Sequence, residues 1–219
     1  GNISSWGSET QIASIASYPR ILIDTNDKIY IFYRSNNASN NQASYKFITS
    51  TDSGLTWSDE TIILNNGNSD WVYVGGIAMD NSNPSKIHIA FSWKIGTEIA
   101  YVQYIKSLDG GTTWKKADGT SLSLPVTEAT ADTITADNYK TVWDLNIDSS
   151  GNPWILWNDY YSTGGGYPMR LSHWNGLAWQ TMAVNSDTDV YGNLVIDSRT
   201  RSGTIPAASE NGASSAFKI

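Results

Sequence analysis

The amino-acid sequence predicts an all-β fold built from four repeated units, and three observations carry this prediction. A segment with apolar residues one and three positions before an aspartate recurs four times. An eight-residue motif, Ser-x-Asp-x-Gly-x-Thr-Trp, follows the first two of these segments in full and the third in a degenerate form. Apolar residues in the repeated segments are spaced by two, which is typical of β-strands, and helical periodicity is absent from the sequence.

Each repeated aspartate marks a predicted β-hairpin. The strand before it ends at an apolar residue, a polar turn rich in Asn, Ser, Gly or Pro follows, and a second β-rich run then begins. Two β-rich runs joined by such a turn are typical of paired antiparallel strands. The four aspartates are Asp24, Asp80, Asp148 and Asp197.

In the first three units, a third β-rich run, the eight-residue motif and a fourth run that begins at the motif's tryptophan complete the pattern. Four strands in a unit correspond to the blade of a β-propeller. We therefore predict a β-propeller with four four-stranded repeats, at about residues 18–64, 71–126, 139–184 and 190–219. Residues 4–13 resemble a lone fourth strand. Either this strand closes the propeller by pairing with the last repeat, which would remove exposed strand edges, or the chain is part of a larger propeller.

The eight-residue motif, called the box below, is predicted to be a turn rather than a catalytic site. Its aspartate can accept backbone N–H bonds, its glycine allows positive φ, and its tryptophan fills space between strands. Trp174 replaces the aspartate in the third box, and a catalytic acid would not be repeated and then lost. The structural box residues are Ser50, Asp52, Gly54, Thr56 and Trp57, then Ser107, Asp109, Gly111, Thr113 and Trp114, then Ser172, Gly176 and Trp179.

The box, in register with the strand repeats, resembles the Asp-box, or bacterial neuraminidase repeat, of the sialidase-like β-propellers. Over about residues 18–211 the chain is also similar to the repeat-containing propellers that include some ulvan and rhamnogalacturonan-type polysaccharide lyases, through stretches such as YPRILIDTNDKIYIFYR and KIHIAFSWK. The resemblance implies that the boxes lie on the face opposite the ligand. The ligand face would then be formed where each first strand begins and each second strand ends.

The ends of the second strands carry candidate substrate-binding residues. In three repeats an aromatic residue stands there, followed by a hydrogen-bonding side chain. Aromatic faces stack on sugar rings and a polar neighbour binds hydroxyls or a carboxylate, so these pairs suit a glycan groove. The alternative is an amphipathic residue at the rim of a strand. The pairs are Tyr33 and Arg34, Trp93 and Lys94, and Trp157 and Asn158, while the fourth repeat has Ser209 and Glu210.

The position four residues before each repeated aspartate varies in chemistry, whereas the apolar positions around it barely change. It holds Arg20, Gly76, Asp144 and Asn193. Chemical variation on a fixed frame marks candidate functional positions. Arg20 and Asp144 are therefore predicted to bind substrate, and the alternative for Arg20 is a salt bridge at a strand end.

Arg170 is the sharpest candidate for chemistry. It stands nine residues before the third box tryptophan, where the first two repeats have Ile48 and Ile105. A guanidinium binds a carboxylate through two hydrogen bonds, as a site for a uronate sugar needs. Tyr160 and Tyr161 lie in the loop before it, and the lyases that the chain resembles keep an arginine on this strand with a tyrosine or histidine near it. The alternative is a partly exposed strand arginine.

The two histidines have no clear catalytic context. His88 stands inside a strand where the first repeat has Tyr30, and it is either a general base or a structural histidine with a satisfied hydrogen bond. His173 lies in the third box and is predicted to belong to a surface turn. Neither forms a metal cluster with acidic residues at a recognisable spacing. No cofactor is therefore predicted, although the Asn-rich loops could hold a structural calcium.

Composition narrows the possible partners. The net charge is −7 and the basic residues are scattered, which is not the pattern of a protein that binds nucleic acid or an anionic membrane. There is no cysteine, and no apolar run is long enough to span a membrane. The high content of Asn, Ser, Thr, Gly, Trp and Tyr is typical of secreted or cell-surface bacterial proteins that handle carbohydrate.

Two functions remain as hypotheses. The first is an enzyme on extracellular polysaccharide, by preference a lyase, in which an arginine neutralises the uronate carboxylate and another side chain removes the C5 proton. The second is a non-catalytic propeller that binds glycan or protein as a module of a larger surface protein. A sialidase is disfavoured because the chain has only five arginines and no matched arginine motif. The lyase candidates are Arg170 or Arg34 for the first role and Tyr160, Tyr161 or His88 for the second.

Overall fold

The computed structural model describes residues 9, 11–37, 42–67, 70–80, 86–159 and 168–184, together with the backbone of 191–192, 195–197, 202–204, 207–208 and 214–215. All regular structure in these ranges is β-strand, and no helix occurs in them. The all-β prediction is therefore confirmed for the described part of the chain.

Four antiparallel strands form the first unit. Their bounds are Ser17–Ile23 for β1, Ile29–Asn37 for β2, Gln42–Ser50 for β3 and Thr61–Leu64 for β4. Each strand pairs with the next one along the chain. The middle strands β2 and β3 carry large apolar residues on both faces, so other parts of the protein can pack on either side of this sheet.

The second unit contains six strands. Their bounds are Trp71–Met79 for β5, Ile87–Ile95 for β6, Glu98–Ser107 for β7, Trp114–Lys115 for β8, Ser121–Leu122 for β9 and Asp132–Asn138 for β10. A single parallel pair, Ala43 with Trp71, joins β3 to β5. β8 pairs with β7 only at Lys106 and Lys115, whereas β10 pairs along the rest of that edge. The predicted fourth strand, expected to begin at Trp114, is thus divided between β8 and β10.

The segment between β9 and β10 explains this division. It crosses to the first unit, where the Val126 N–H donates to the Ile63 carbonyl at 2.8 Å and the Asn65 N–H donates to the Val126 carbonyl at 3.0 Å. Val126 is fully buried in the core between the two units. The chain leaves the second sheet to cover the edge of β4 and then returns as β10.

The third unit is one four-stranded antiparallel sheet in chain order. Its strands are β11, Lys140–Ile147; β12, Pro153–Asp159; β13, Met169–Trp174; and β14, Trp179–Ala183. Five short strands follow, which are β15, Tyr191–Gly192; β16, Val195–Asp197; β17, Ser202–Thr204; β18, Ala207–Ala208; and β19, Ser214–Ser215. β16 and β17 form a hairpin at the fourth repeated aspartate.

The repeated aspartates close the hairpin turns with their own side chains. The Asp24 carboxylate accepts the N–H groups of Asn26 and Lys28 at 2.8 and 3.0 Å. Asp148 accepts those of Ser150 and Asn152 at 2.8 and 2.9 Å. In these two units the aspartate thus serves the turn, which accounts for its recurrence there.

The first strand of each of the first three units carries a β-bulge at the same repeat position. The register shifts between Ser17 and Arg20 in β1, between Val74 and Gly76 in β5, and between Val142 and Asp144 in β11. A bulge bends a strand and redirects the side chain that follows it. The chemically variable position, four residues before each aspartate, follows directly after this bend.

Two glycines let the second and third units approach closely. A Cβ at Gly75 would overlap the backbone of Val142, and a Cβ at Gly76 would overlap Leu145. The variable position is therefore glycine in the second repeat because β11 passes against it.

Two further expectations concern the ends and the membrane. The strand predicted over residues 4–13 lies mostly outside the described residues, and 11–13 are not in a strand. Among the described residues, no helix is long and apolar enough to cross a membrane.

Candidate functional site

The strands have two ends with different contents. The end that holds the aspartate hairpins and the boxes is called the box end. Residues of neighbouring units pack together there: a Cβ at Gly110 would lie 3.0 Å from the Tyr30 hydroxyl, and one at Gly151 would lie 3.2 Å from the Asp80 carboxylate. The end where β1, β5 and β11 begin and β2, β6 and β12 finish is called the opposite end.

The first two boxes close the same hydrogen-bonded turn. The Asp52 carboxylate accepts the Thr56 N–H at 2.9 Å and the Thr56 hydroxyl at 2.5 Å, and the Ser50 hydroxyl accepts the Gly54 N–H at 2.9 Å. The bonds from Thr56 and Ser50 lower the pKa of Asp52 to about 2. These carboxylates are used by the turn and are not directed at a ligand. The second box repeats the bonds through Asp109, Thr113, Ser107 and Gly111 at 2.6–2.9 Å.

The third box closes a different turn. Residues 175–178 alone connect β13 to β14. The Asn175 side chain accepts two backbone N–H bonds within that turn, each of 2.9 Å. The Ser172 hydroxyl accepts the Trp157 indole N–H at 2.8 Å, instead of bonding the turn as the serines of the first two boxes do. Asn175 thus replaces the lost aspartate, and Ser172 supports the core.

The tryptophans of the first two boxes differ in packing. Trp114 is 1% exposed and belongs to the core between the first two units. Trp57 is half-buried. The second box packs on the first unit, since a Cβ at Gly111 would lie 2.8 Å from the Phe47 ring, but no unit precedes the first among the described residues. The predicted space-filling role therefore describes Trp114 and is only partly met by Trp57.

The aromatic residues near the ends of the second strands are buried, which corrects the prediction that they stack on sugar rings. Trp93 is 0% exposed, and its indole N–H donates to the Gln103 side chain at 2.7 Å. Tyr33 is also buried, and its hydroxyl donates to the Glu60 carboxylate. Trp157 is buried and bonded as described above. These rings are buried because both faces of each sheet can be covered in this fold.

Arg34 lies inside an aromatic cage at the opposite end. Its guanidinium carbon lies 4.5 Å from the centre of the Tyr18 ring and 4.8 Å from the centres of the Trp71 and Tyr73 rings. The Nε–H donates to the Ser17 hydroxyl at 3.2 Å. The residue is 6% exposed, and its Nη1 has no hydrogen-bond partner among the described residues. Because Ser17 and Tyr18 open β1 and Trp71 and Tyr73 open β5, Arg34 lies between the first two units.

Tyr45 is the cross-strand neighbour of Arg34. Its ring stacks on Phe32 with 6.3 Å between centres, and the residue is 1% exposed. The Tyr45 hydroxyl has no hydrogen-bond partner among the described residues. Burial raises the pKa of Tyr45, and the positive charge of Arg20 opposes this rise. The charge of Arg20 therefore acts at the Tyr45 hydroxyl.

Arg170 and Trp157 are cross-strand partners on β13 and β12. Arg170 is half-buried, and the Lys140 Nζ lies 5.9 Å from the centre of the Trp157 ring. Cross-strand partners share one face of a sheet. Two cations and a buried indole thus meet at the opposite end of the third unit.

The other predicted binding residues are spread over the same end. Lys94 is half-buried and is the cross-strand neighbour of Trp71 in the cage. Asn158 is buried, and its Oδ1 has no hydrogen-bond partner among the described residues. Arg20 is exposed on β1 after the bulge. Asp144 also follows its bulge, and its carboxylate accepts the N–H of the next residue at 2.8 Å.

Tyr160 and Tyr161, predicted as bases beside Arg170, lie outside the described residues.

His88 lies at the box end, which corrects its candidacy as a base beside Arg170. It is the second residue of β6 and stands six positions before Lys94, which is about 20 Å along a strand. Its Nδ1 hydrogen-bonds the Tyr104 hydroxyl at 2.5 Å. Burial, reinforced by the charge of Lys106, lowers the pKa of His88 to about 3. His88 is therefore a neutral core histidine.

His173 is also placed differently from the prediction. It lies in β13 rather than in a surface turn, and its ring stacks on Trp154 with 4.0 Å between centres. Its Nε2 lies 3.5 Å from the Asp148 carboxylate. In the part of the chain that the structure describes, no group of three or more His, Asp or Glu side chains could hold a metal ion.

The cage aromatics were missed by the sequence reasoning. Tyr18, Trp71 and Tyr73 stand where β1 and β5 begin, and this is one of the two places that the resemblance assigns to the ligand face. The available signal was the cluster of aromatic residues at these starts, beside the arginine in YPRI.

Comparison with known proteins identifies relatives of one architecture. The BNR repeat-containing family matches residues 1–187. An ulvan lyase of Alteromonas sp. (strain LOR) is 26% identical over an alignment of 203 residues, and the match covers 81% of this chain and 41% of the lyase.

Solved structures extend the likeness. An ulvan lyase of polysaccharide lyase family PL25, bound to -[GlcA(1-4)Rha3S]-, matches 99% of this chain and 56% of its own, with a TM-score of 0.79 and 18% identity. The Hadza microbial sialidase Hz136 matches 94% of this chain and 44% of its own, with a TM-score of 0.63 and 12% identity. At these identities the structures show a shared fold. The chain spans less than two thirds of the length of each relative.

Proposed function

Because the chain belongs to the BNR repeat-containing family, we propose that it forms part of an extracellular β-propeller that binds a uronate-containing polysaccharide and cleaves it as a lyase. The observation that carries this proposal is the gathering of cations and aromatic rings at the opposite end. Arg34 lies in its cage there, and Arg170 and Lys140 lie beside Trp157. Cations bind the carboxylates of an acidic polysaccharide, and aromatic surface suits sugar rings.

The relatives support the same substrate class. The Alteromonas relative is an ulvan lyase, and the PL25 ulvan lyase is bound to a saccharide of glucuronate and sulfated rhamnose. Acidic units of this kind offer the carboxylates that a site rich in arginine and lysine attracts.

The architecture is part of the proposal. We assign the four repeats at about residues 18–64, 71–126, 139–184 and 190–219 to four propeller blades, in which strands β1–β4, β5–β10 and β11–β14 form the first three. The boxes then lie on one face and the ligand on the other. Closure through residues 4–13, or continuation into further blades, are the two arrangements that the repeat pattern allows.

The reaction we assign is a β-elimination. Arg170 binds the uronate carboxylate and thereby lowers the pKa of the hydrogen on C5, the carbon that bears this carboxylate. Tyr161 or Tyr160, as the phenolate, takes the C5 proton, the electron pair forms a double bond between C4 and C5, and the bond from C4 to the leaving oxygen breaks. The tyrosine then donates this proton to the leaving oxygen, which regenerates the phenolate and leaves a shortened chain and an unsaturated uronate as products.

A non-catalytic glycan- or protein-binding module is the second candidate, and one observation favours it. His88, one of three candidate bases, is buried at the box end, far along its strand from the proposed site. Binding of an anionic sugar by the cations beside Trp157 requires positive charge and aromatic surface, and it does not require a catalytic base.

A single substrate tests both candidates. We expect the protein to bind oligosaccharides of the type -[GlcA(1-4)Rha3S]- in calorimetry and to generate the ultraviolet absorbance of an unsaturated uronate. Arg170→Ala should weaken binding and abolish product formation. Binding without product would replace the lyase by the binding module, and absence of both would contradict the proposal.

Lys28→Ala provides the matched control. Lys28 is also a cation over an aromatic ring, 4.8 Å from the centre of Tyr30, but it lies at the box end. Its removal should leave both binding and product formation unchanged.

A further inference from the structure

The guanidinium of Arg34 is a buried cation whose hydrogen-bonding capacity is only partly used. The three cage rings contact it through their π-systems, and Nε is bonded to Ser17. Nη1 is buried and has no acceptor among the described residues. A buried charge is normally paired with an opposite charge, because its desolvation is costly. Arg34 has its aromatic neighbours and lacks that acceptor.

Tyr45 presents a second buried donor at the adjacent position. Its hydroxyl is also without a partner among the described residues, and Tyr45 and Arg34 are direct neighbours across β2 and β3. The large majority of buried side-chain polar atoms in proteins have a hydrogen-bond partner. Two unsatisfied donors on cross-strand neighbours of one sheet face suit an acceptor that comes from outside this part of the chain.

The local charge selects an anion as that acceptor. Arg34 is positive, and the positive charge of Arg20 also acts at the Tyr45 hydroxyl. A neutral hydroxyl or amide could satisfy the hydrogen bonds, but a carboxylate or sulfate oxygen would also compensate the buried charge.

The position of the two donors connects them to a sugar-binding surface. Tyr18, in the wall of the cage, is 54% exposed. The cage lies where β1 and β5 begin, on the same end as Arg170 but between the first two units rather than on the third. A sugar unit that lies on the exposed part of Tyr18 can direct an anionic substituent towards Arg34.

We propose that Arg34 and Tyr45 form an anion-binding subsite, separate from Arg170, that takes the carboxylate or sulfate of one sugar unit while Tyr18 contacts its ring. The subsite rests on the proposed function, since it assumes that an acidic glycan binds at the opposite end. It adds a determinant of specificity: this part of the protein recognises the charge of a sugar at a distance from the bond that is cleaved.

Two conservative variants test the subsite with the whole chain. Arg34→Lys keeps a cation in the cage but removes the planar fork and its Nη1 donor, and Tyr45→Phe keeps the ring and removes the hydroxyl. Each should lower the affinity for a -[GlcA(1-4)Rha3S]- oligosaccharide by about tenfold, the scale of one hydrogen bond to a charged group. Calorimetry gives the affinity, and thermal unfolding of each variant verifies that it is folded.

Modified forms of the same oligosaccharide identify the anion. The two variants are titrated with a desulfated form, a carboxyl-reduced form and a form with both changes. The effect of the variants should disappear on the form that lacks the group bound at Arg34, and it should be absent on the form with neither group. An equal effect on all forms, or none on the unmodified oligosaccharide while the parent binds it, would overturn the subsite.

A matched control lies at the box end of the same sheet. Tyr30→Phe removes the hydroxyl of another tyrosine that is 1% exposed in the same core, and it should not change affinity. If the parent binds none of the oligosaccharides, the proposed function fails and the subsite fails with it. If the parent binds but the Arg34 and Tyr45 variants keep the affinity of the parent, as the Tyr30 control should, the subsite fails alone.

Discussion

The box end and the opposite end of these sheets use their polar side chains in different ways. At the box end, the carboxylates of Asp24, Asp52, Asp109 and Asp148 are occupied by backbone N–H groups of their own turns. At the opposite end, Arg34 Nη1 and the Tyr45 hydroxyl are buried without partners among the described residues. His88 Nε2 and His173 Nε2 are exceptions at the box end, although His88 Nδ1 is bonded and His173 Nε2 lies 3.5 Å from the Asp148 carboxylate. The repeated carboxylates therefore serve the fold, whereas the unsatisfied donors of Arg34 and Tyr45 are the groups for which we propose a ligand.

The largest expected effect concerns the box tryptophans. Trp114→Ala should lower the free energy of unfolding by about 3–5 kcal/mol, because it empties a large buried site. Trp57→Ala should cost roughly half as much, because half-exposed Trp57 leaves less of a cavity when it is truncated. Urea denaturation measures both. Equal losses would mean that the two boxes pack equivalently in solution, contrary to the difference in burial.

The next effect concerns His88 and the pH dependence of stability. Its folded-state pKa is about 3, whereas an unfolded histidine has a pKa of about 6.5. As the pH falls below about 6.5, the unfolded state takes up a proton that the folded state refuses until about pH 3. Stability from the neutral imidazole is therefore present above about pH 6.5 and is lost on acidification. The slope is at most about 1.4 kcal/mol per pH unit.

His88→Gln measures this contribution. Glutamine can still accept the Tyr104 hydroxyl but does not titrate, so the free energy of unfolding of the variant should fall less steeply than that of the parent between about pH 6 and pH 4. Parallel curves would show that His88 is not the buried neutral histidine described above. Product formation should be unaffected, because His88 lies at the box end.

A smaller effect is expected for ligand affinity at Arg170. Arg170→Ala should weaken binding of an acidic oligosaccharide by about 1.5–3 kcal/mol, the scale of a hydrogen bond between charged groups. Arg170→Lys, which keeps the charge and loses the bidentate geometry, should recover part of this loss. Unchanged calorimetric affinity in Arg170→Ala would show that Arg170 does not bind the oligosaccharide, and Arg34 would then be the principal cation of the site.

The features that sequence could predict are local. The hairpins at the repeated aspartates and the turns of the first two boxes depend on residues within a few positions of each other, so their patterns are readable. Burial of Trp93 and Tyr33 could not be read, because strands covered on both faces do not alternate between apolar and polar residues. The cage of Arg34 depends on Trp71 and Tyr73, which follow it by almost forty positions and meet it only through the packing of two units.

The smallest effect separates the carboxylate of the box from its turn geometry. The pKa of Asp52 is lowered to about 2, first by the Thr56 hydroxyl and then by the Thr56 N–H and the Ser50 hydroxyl. Its contribution to stability is thus present above the ordinary pKa of about 4 and is lost as the pH falls towards 2. Asp52 is only half-buried, and solvent screens its carboxylate, so the effect is small. Asp52→Asn should be less stable than the parent at neutral pH, and the difference should shrink near pH 2.

Thr56→Val sharpens this test. It keeps the Asp52 carboxylate but removes the hydroxyl that lowers its pKa most. The stability difference between Thr56→Val and the parent should therefore shrink over the same pH range, and at neutral pH it should be smaller than the difference between Asp52→Asn and the parent. In Asp109 burial raises the pKa, but the bonds from Thr113 and Ser107 outweigh it and the pKa is lowered, so Asp109→Asn should follow the same course. A stability difference that stays constant from pH 7 to pH 2 would mean that the box depends on the shape of its turn and not on the charge of its aspartate. The charges at the box end would then make no contribution to stability.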